Sequence, residues 1–289
     1  MAAASDVCPL VTREALLRVA RTLPADLRVL SKLGEMLQDV NSELDDISSL
    51  LCRDVALSAG IVRISNSVMF SGAGRVASIQ EAVNRVGFSE ILRLVGTATT
   101  GRFTEGALDF YGISADTLRA NMLYGAFAAE ALARPAGIDP RTAYTAGLLR
   151  TLGFIVLDRS CRGMVKPAQA FGKGPWTAYA GWEESLAGMN SCEISAMLLD
   201  EWKFPPEASA AVRSHYLAQP ADYELPLAAL LNVANGLTHR VGRSFAGEGS
   251  WWEITPQKLA AAGLREEDFE LAIGEIEAAF DAAVTALAN

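Results

Sequence analysis

Apolar residues recur at helical spacing through the segment 42–94, and residues that cap helices separate one recurrence from the next. Spacings of three and four residues place apolar side chains on one face of an α-helix. Asp54 is a typical N-cap, Ser78 and Glu81 form a capping-box pattern, and Gly87 can end a helix in the left-handed conformation. The apolar positions are Leu44, Ile47, Leu50, Leu51, Leu57, Ile61, Ile64, Val83 and Val86. The segment therefore predicts a succession of short helices.

The rest of the chain continues this periodicity. No stretch alternates apolar and polar residues as a half-buried strand does, so the predicted fold class is all-α. Gly34 lies inside a predicted helix, where glycine costs about 1 kcal/mol relative to alanine, and we therefore expect a close helix contact there. The predicted helices cover residues 12–22, 27–37, 115–133, 208–215, 225–241 and 265–287, with one continuous helix from Asp139 or Pro140 through Val156 and another that opens at Pro175.

The composition is that of a globular protein. Of the 289 residues, 51% are hydrophobic and 20% are charged, which is unlike a disordered chain. No apolar run approaches the roughly 20 residues of a membrane-spanning helix. The first residues show neither the basic region nor the apolar core of a secretory signal. We therefore expect a cytoplasmic protein with no membrane partner.

Net charge and cysteine spacing exclude further classes of function. The net charge of −9 disfavours duplex nucleic acid as a partner, because counterion release requires clustered Lys and Arg. The four cysteines, Cys8, Cys52, Cys161 and Cys192, are scattered and form no C-x-x-C pair. This pattern predicts reduced, buried thiols rather than disulfides or a zinc site.

Common catalytic motifs are absent from the sequence. It contains neither the G-x-x-x-x-G-K-[ST] phosphate loop nor the G-x-S-x-G nucleophile elbow. Gly72 and Gly74 indicate a flexible turn and not a dinucleotide fingerprint. The chain has only two histidines, His215 and His239. We interpret both as polar residues at helix ends, where the helix macrodipole favours a cation.

Two segments in the first third of the chain resemble the bacterial HDOD family, the HD-related output domains. They read RDVALSAGIVRISNSVMF and VASIQEAVNRVGFSEILRLV, with a glycine loop between them. The resemblance extends from about Leu23 to about Val241. In that family a compact helical half packs against a second helical half that looks like a degenerate HD phosphohydrolase. The resemblance implies two packed half-domains, residues 1–105 and 106–245, and a C-terminal extension over residues 246–289.

HD phosphohydrolases hold metal ions with histidines, a His-Asp doublet and a further Asp on facing helices. The resemblance places the doublet at Arg150–Thr151, so the positive charge of Arg150 would repel a divalent cation. None of the other corresponding positions keeps its ligand either. The resemblance thus implies a vestigial HD pocket without catalytic residues, metal ligands or any cofactor. The residues of this pocket are Asn121, Arg150, Thr151, Ser191, His215 and Asn235.

Two interpretations stay open for Arg150 and for Asn66. An arginine in an apolar helix needs an acceptor, which is either an internal ion-pair partner or a bound anion. Asn66 follows an apolar helix. It either caps that helix or joins Met69, Phe70 and Arg75 in a surface for a partner or ligand.

The C-terminal residues also permit two interpretations. Apolar residues from Phe269 to Leu287 follow alternating spacings of four and three. They either pack on their own domain or form the seam of a homodimer. Trp251 and Trp252 either anchor a partner or fill a small core beneath the glycine-rich loop 242–252.

The resemblance implies a non-catalytic signalling module that binds a regulatory protein partner. The alternative is a receptor for a small ligand, such as a nucleotide second messenger, in the vestigial pocket. Its phosphate contacts would come from Arg63, Arg75, Arg85, Arg93 and Arg150. A metal-dependent phosphohydrolase is the least favoured hypothesis, because the sequence lacks the ligand set that it requires.

Overall fold

The computed structural model describes residues 9–23, 26–39, 41–66 and 75–288. These residues form fourteen α-helices and no strand, apart from one isolated β-bridge between Leu108 and Ile113. The helices are α1 (Arg13–Thr22), α2 (Asp26–Gln38), α3 (Leu44–Leu51), α4 (Val55–Ser65), α5 (Ile79–Phe103), α6 (Ala115–Ala133), α7 (Pro140–Leu149), α8 (Leu152–Cys161), α9 (Tyr179–Ala187), α10 (Ser191–Glu201), α11 (Pro206–Ser214), α12 (Pro226–Arg240), α13 (Pro256–Ala262) and α14 (Glu266–Ala288). The all-α prediction is confirmed.

Local capping fixes several helix starts as the sequence indicates. The Asp54 carboxylate accepts a hydrogen bond of 2.8 Å from the Leu57 amide at the start of α4. Ser78 caps α5 through a 3.1 Å bond from the Glu81 amide. The Glu81 carboxylate binds the amide of Ala77, one residue earlier than a capping box requires. These caps satisfy amides that have no partner inside the helix.

The predicted helix end at Gly87 is present as a kink in α5, where two helical pieces meet, although Gly87 has φ 72° and ψ 179° and not the left-handed helical conformation. Two other local predictions are wrong. Gly34 makes no close helix contact, because nothing lies within 4 Å of where its Cβ would be. The helix predicted from Pro175 begins only at Tyr179.

Helix α6 lies at the centre of the core. Nearly all of its residues from Leu118 to Ala133 are buried, and it contacts α7, α12 and α14. A Cβ on Gly147 of α7 would lie 3.0 Å from the carbonyl oxygen of Gly125, so glycine allows these two helices to approach closely. Helices α2, α3 and α4 contact α5, and α1 contacts α8 and α10.

The last helix packs on its own chain. Phe269, Ile276 and Phe280 are buried, and the Phe280 ring centroid lies 5.6 Å from that of Tyr124 on α6. The apolar residues that recur along α14 at spacings of four and three therefore pack within the protomer. A homodimer through α14 stays a prediction and would need the outer face, where Leu271 is 81% exposed. The three-part division of the chain also stays a prediction.

Among the described residues, every helix is too short or too polar to cross a lipid bilayer.

Candidate functional site

Arg150 and Glu248 form a fully buried ion pair between distant parts of the chain. The Arg150 Nη1 atom lies 3.0 Å from Glu248 Oε1, and neither side chain is exposed. Arg150 Nη2 donates to Asn121 Oδ1 on α6 at 2.5 Å. The guanidinium also stands 5.4 Å from the ring centroid of Trp252. Of the two interpretations of Arg150, the geometry therefore supports the internal ion pair.

The helix predicted through residue 156 breaks at Arg150–Thr151, and this prediction is wrong for a physical reason. Helix α7 ends at Leu149 and α8 begins at Leu152. The Ser195 hydroxyl of α10 donates to the Arg150 carbonyl at 2.7 Å and accepts from the Gly153 amide at 2.7 Å. One hydroxyl thus satisfies backbone groups on both sides of the break. The break directs Arg150 into the core.

His215 is buried and does not carry the charge that its helix-end position predicts. It is the C-cap of α11, with Nδ1 2.7 Å from the Val212 carbonyl oxygen, and its ring stacks 5.8 Å from that of Trp252. Burial, together with the charge of Arg150, lowers the pKa of His215 to about 3. The residue is therefore neutral at physiological pH. His239, in contrast, is exposed in the last turn of α12, as predicted.

Among the described residues, the other three predicted pocket residues form no hydrogen bond to the side chains of the ion pair. Thr151, Ser191 and Asn235 are all buried. The Ser191 amide donates to Glu183 Oε2 at 2.7 Å, and the Asn235 side-chain amide donates to the Leu231 carbonyl at 2.7 Å. The structure thus brings Asn121 and Arg150 into direct contact, whereas Ser191 bonds to α9 and Asn235 bonds within its own helix.

Glu248 is the most important residue that the sequence does not reveal. It lies in a 3-10 helix, Ala246–Trp251, and its Oε1 atom accepts a second bond of 2.8 Å from the Tyr216 hydroxyl. It lies in the glycine-rich stretch, which shows no periodicity. The one sequence feature that could have pointed to a buried carboxylate is Arg150, because a buried arginine requires an acceptor.

Trp252 lies in a small satellite core with Cys192 and Tyr216, and Trp251 packs against it. This arrangement supports the small-core interpretation of the two tryptophans.

A second buried carboxyl lies beside the ion pair. Glu183 on α9 accepts bonds from the Tyr111 hydroxyl at 2.8 Å and from the Ser191 amide at 2.7 Å. Burial raises the pKa of Glu183 to about 7, although the hydrogen bonds from Ser191 and Tyr111 act in the opposite direction. A carboxyl with this pKa exchanges a proton near neutral pH.

The cluster does not fit a divalent metal ion. The buried polar atoms that lack a hydrogen-bond partner among the described residues include two donors at the ion pair, Arg150 Nε and Trp252 Nε1, as well as acceptors such as His215 Nε2 and Glu248 Oε2. Metal coordination requires acceptors alone, and the guanidinium of Arg150 can only donate. In the part of the chain that the structure describes, no three His, Cys, Asp or Glu side chains are placed to hold a metal ion.

Asn66, which the sequence assigned either to a helix cap or to a partner surface, caps α4. Its side-chain amide donates 2.9 Å bonds to the carbonyls of Val62 and Val76 and accepts a 2.8 Å bond from the Val76 amide. Asn66 therefore closes α4 and joins it to the segment before α5. Arg75 is exposed, and Met69 and Phe70 lie outside the described residues.

The arginines proposed for phosphate binding have separate partners. Arg63 donates to the carbonyls of Ala286 and Leu287 at the end of α14, at 3.2 and 3.3 Å. Arg93 pairs with Glu130 at 2.8 Å. Because Arg63, Arg93 and Arg150 are each bound by acceptors of their own, the vestigial pocket does not gather them into one phosphate site.

The described cysteines are free thiols, but they are not all buried. Cys161 and Cys192 are buried, as predicted. Cys52 is exposed, because it follows α3 at the surface, so the prediction is wrong there. Cys8 lies outside the described residues.

Comparisons with known proteins identify related sequences and folds. The family model for the HDOD domain matches residues 23–218. An uncharacterised protein of Treponema pallidum is 25% identical over 269 residues, which cover 89% of this chain and 50% of that protein. The chain thus spans about half the length of the curated relative that it matches.

Solved structures share the fold at lower sequence identity. An HDOD domain protein of unknown function from Geobacter sulfurreducens has a TM-score of 0.69 at 22% identity, covering 94% of this chain and 97% of that one. A protein of Shewanella amazonensis, provisionally named a phosphohydrolase, has a TM-score of 0.62 at 23% identity, with coverages of 94% and 97%. A provisionally named signal transduction protein of Marinobacter aquaeolei has a TM-score of 0.62 at 20% identity, with coverages of 96% and 66%.

Proposed function

Because the chain belongs to the HDOD family, we propose that it is a non-catalytic regulatory module that acts by binding another protein. The observation that carries this proposal is the buried ion pair of Arg150 and Glu248, at the position where the family resemblance puts the His-Asp doublet. A guanidinium neither ligates a divalent ion nor activates a bound water. The module therefore acts through its surface, in the cytoplasm of a bacterial cell.

The partner surface is the basic loop, residues 162–178, between α8 and α9. It carries three cationic side chains and no carboxylate in a chain whose net charge is −9. Lys166 and Lys173 are exposed and form no ion pair with the described residues, while Arg162 pairs with Asp109 at 3.4 Å. Met164 and Trp176 are 46% and 39% exposed. Apolar anchors beside unpaired cations are typical of a recognition surface.

The basic loop is held in a defined shape. The Trp182 indole donates to the Gln169 carbonyl at 2.8 Å, and the Phe171 amide donates to the Phe110 carbonyl at 2.8 Å. The ring of Trp176 lies across Gly181, where a Cβ would approach it to 3.2 Å. A surface that is already ordered loses little conformational entropy on binding. The fitting partner is an acidic segment of another protein with an apolar side chain for Trp176.

Site-specific cross-linking tests this proposal. A photo-reactive phenylalanine analogue at position 176 should capture one reproducible partner in cells, and Lys166→Glu with Lys173→Glu should abolish the product. The matched control is the same analogue at Leu271, which is more exposed and lies outside the basic loop. Equal capture from both positions, or none from position 176, would contradict the proposal.

A second experiment tests the proposal that the module is not an enzyme. Purified protein is incubated with Mn²⁺, Fe²⁺ or Mg²⁺ and with phosphomonoester, phosphodiester and nucleotide substrates. We expect no turnover above that of the same assay without protein. Metal-dependent hydrolysis by the purified protein that a chelator abolishes would show that the module is an enzyme.

A further inference from the structure

A groove of about 520 Å³ separates α1 and α2 from the C-terminal end of α10. We call it the seam groove, and its lining includes Leu17, Arg21, Ser31, Lys32, Trp202 and Lys203. A cavity of this size is in the range that accommodates small organic ligands. Its lining residues belong neither to the buried ion pair nor to the basic loop, so a ligand bound there would occupy a separate site.

Two cations of the seam groove form no ion pair with the part of the chain that the structure describes. Arg21 lies in the last turn of α1 and Lys203 follows α10, and both are exposed without an ion pair to the described residues. Lys32 is instead bound to Glu35 at 2.7 Å. Glu201 also lines the groove, so the lining carries three cations and two carboxylates. In an acidic chain, this is a local excess of positive charge that favours an anion.

Lys203 occupies a backbone conformation that favours glycine. Its φ is 63°, and the turn is closed by bonds from the Phe204 amide to the Leu199 carbonyl at 2.9 Å and from the Lys203 amide to Asp200 at 3.1 Å. The chain uses glycine for the corresponding turns after α9 and α13, at Gly188 and Gly263. Lysine at this position is strained, and such strain is concentrated at ligand-binding sites.

The floor of the seam groove is apolar and aromatic. Leu17 and Trp202 are both partly buried. The Ser31 hydroxyl donates to the Trp202 carbonyl at 3.3 Å and so fixes this residue against α2. An indole can stack on a planar ring, while a guanidinium and an ammonium on the rim can bind phosphate oxygens.

We propose that the seam groove binds a nucleotide, with its base against Trp202 and its phosphate between Arg21 and Lys203. The carboxylates of Glu35 and Glu201 can accept hydrogen bonds from ribose hydroxyls or from the amino group of a base. This binding goes beyond the proposed protein-binding function. A ligand in the groove contacts helices on both sides of the seam and therefore stabilises their observed arrangement.

Calorimetry and thermal unfolding with a defined panel test the proposal. The panel contains adenine and guanine mono- and triphosphates, cyclic mononucleotides and cyclic dinucleotides, with the corresponding nucleosides and pyrophosphate as separate arms. We expect at least one nucleotide to bind and to raise the Tm. Its nucleoside and pyrophosphate should each bind about tenfold more weakly or worse, because each lacks one half of the contacts.

The Lys203→Gly variant distinguishes a loss of ligand affinity from a loss of protein stability. The substitution removes the ammonium and relieves the positive φ, so the Tm without ligand should be unchanged or higher while affinity falls about tenfold. Arg21→Ala should weaken binding similarly, and Lys173→Ala in the basic loop is the matched control that should not. If no nucleotide binds, or if Lys203→Gly and Arg21→Ala both retain full affinity, the proposal is wrong. Tight binding of pyrophosphate or a nucleoside alone would also overturn it.

Discussion

The guanidinium of Arg150 and the carboxylate of Glu248 lie 3.0 Å apart in the core, although 98 residues separate them along the chain. Neither charge reaches solvent, so each depends on the other for its electrostatic stabilisation. The ion pair joins the break between α7 and α8 to the segment that precedes α13. Its removal should therefore be measurable as a loss of global stability.

Arg150→Ala and Glu248→Ala should each lower the free energy of unfolding by about 3–5 kcal/mol, because each leaves a single buried charge. The double variant Arg150→Met with Glu248→Leu should be more stable than either single variant, since it leaves no charge behind. Urea unfolding measures all three. Single variants within 1 kcal/mol of the wild type would refute the buried pair.

The pH dependence of stability should change when His215 is replaced. Its pKa is about 3 in the folded protein and 6.5 ordinarily, so between these values the unfolded chain binds a proton that the folded chain does not. The contribution of His215 is present above pH 6.5 and is lost as the pH falls, by about 1.4 kcal/mol per pH unit. His215→Gln should remove this slope between pH 5 and 6. An unchanged slope would mean that the folded protein protonates His215 normally.

Glu183 should contribute a slope of the opposite sign in the same pH range. Its pKa is raised from 4.5 to about 7, so the folded protein holds a proton that the unfolded chain has lost. Its contribution is present below pH 4.5 and declines as the pH rises through 7, by about 1.4 kcal/mol per unit. Glu183→Gln should therefore make stability rise more steeply with pH than in the wild type. The two single variants, unfolded in urea at pH 5, 5.5 and 6, should deviate from the wild type in opposite directions.

Two Gly→Ala substitutions should have opposite effects. A Cβ on Gly153 would lie 2.0 Å from the backbone oxygen of Ser191, whereas nothing lies within 4 Å of a Cβ on Gly34. Gly153→Ala must push α8 away from α10 and should cost about 3 kcal/mol or more. Gly34→Ala, inside α2, should add about 1 kcal/mol of stability through helix propensity. Thermal unfolding of both variants measures this difference, and equal melting temperatures would contradict the close approach of α8 and α10.

Features that depend on neighbouring residues could be read from the sequence. Asp54 and Ser78 cap the helices that they precede because a cap involves residues only two or three positions apart. The apolar face of α14 was likewise visible in its spacing. The resemblance to a known family located Asn121 and Arg150, which meet in the structure.

Features that depend on distant residues could not be read in this way. The break at Arg150–Thr151 depends on the hydroxyl of Ser195, which lies in another helix. Glu248 follows no periodic pattern, and nothing near it in the sequence indicates a buried carboxylate. Gly34 shows the reverse error, since its position inside a helix suggested a tight contact and the structure leaves space there.

The position of Glu248 has a consequence for the order in which the protein can be completed during translation. Arg150 leaves the ribosome 98 residues before its acceptor, so the growing chain has no carboxylate for this cation at that position until the segment beyond residue 245 emerges. A fragment cut at residue 218, where the match to the family ends, would keep Asn121 but lose Glu248. A stretch of chain that contains both Arg150 and its buried partner Glu248 is therefore longer than residues 23–218, which the family model matches.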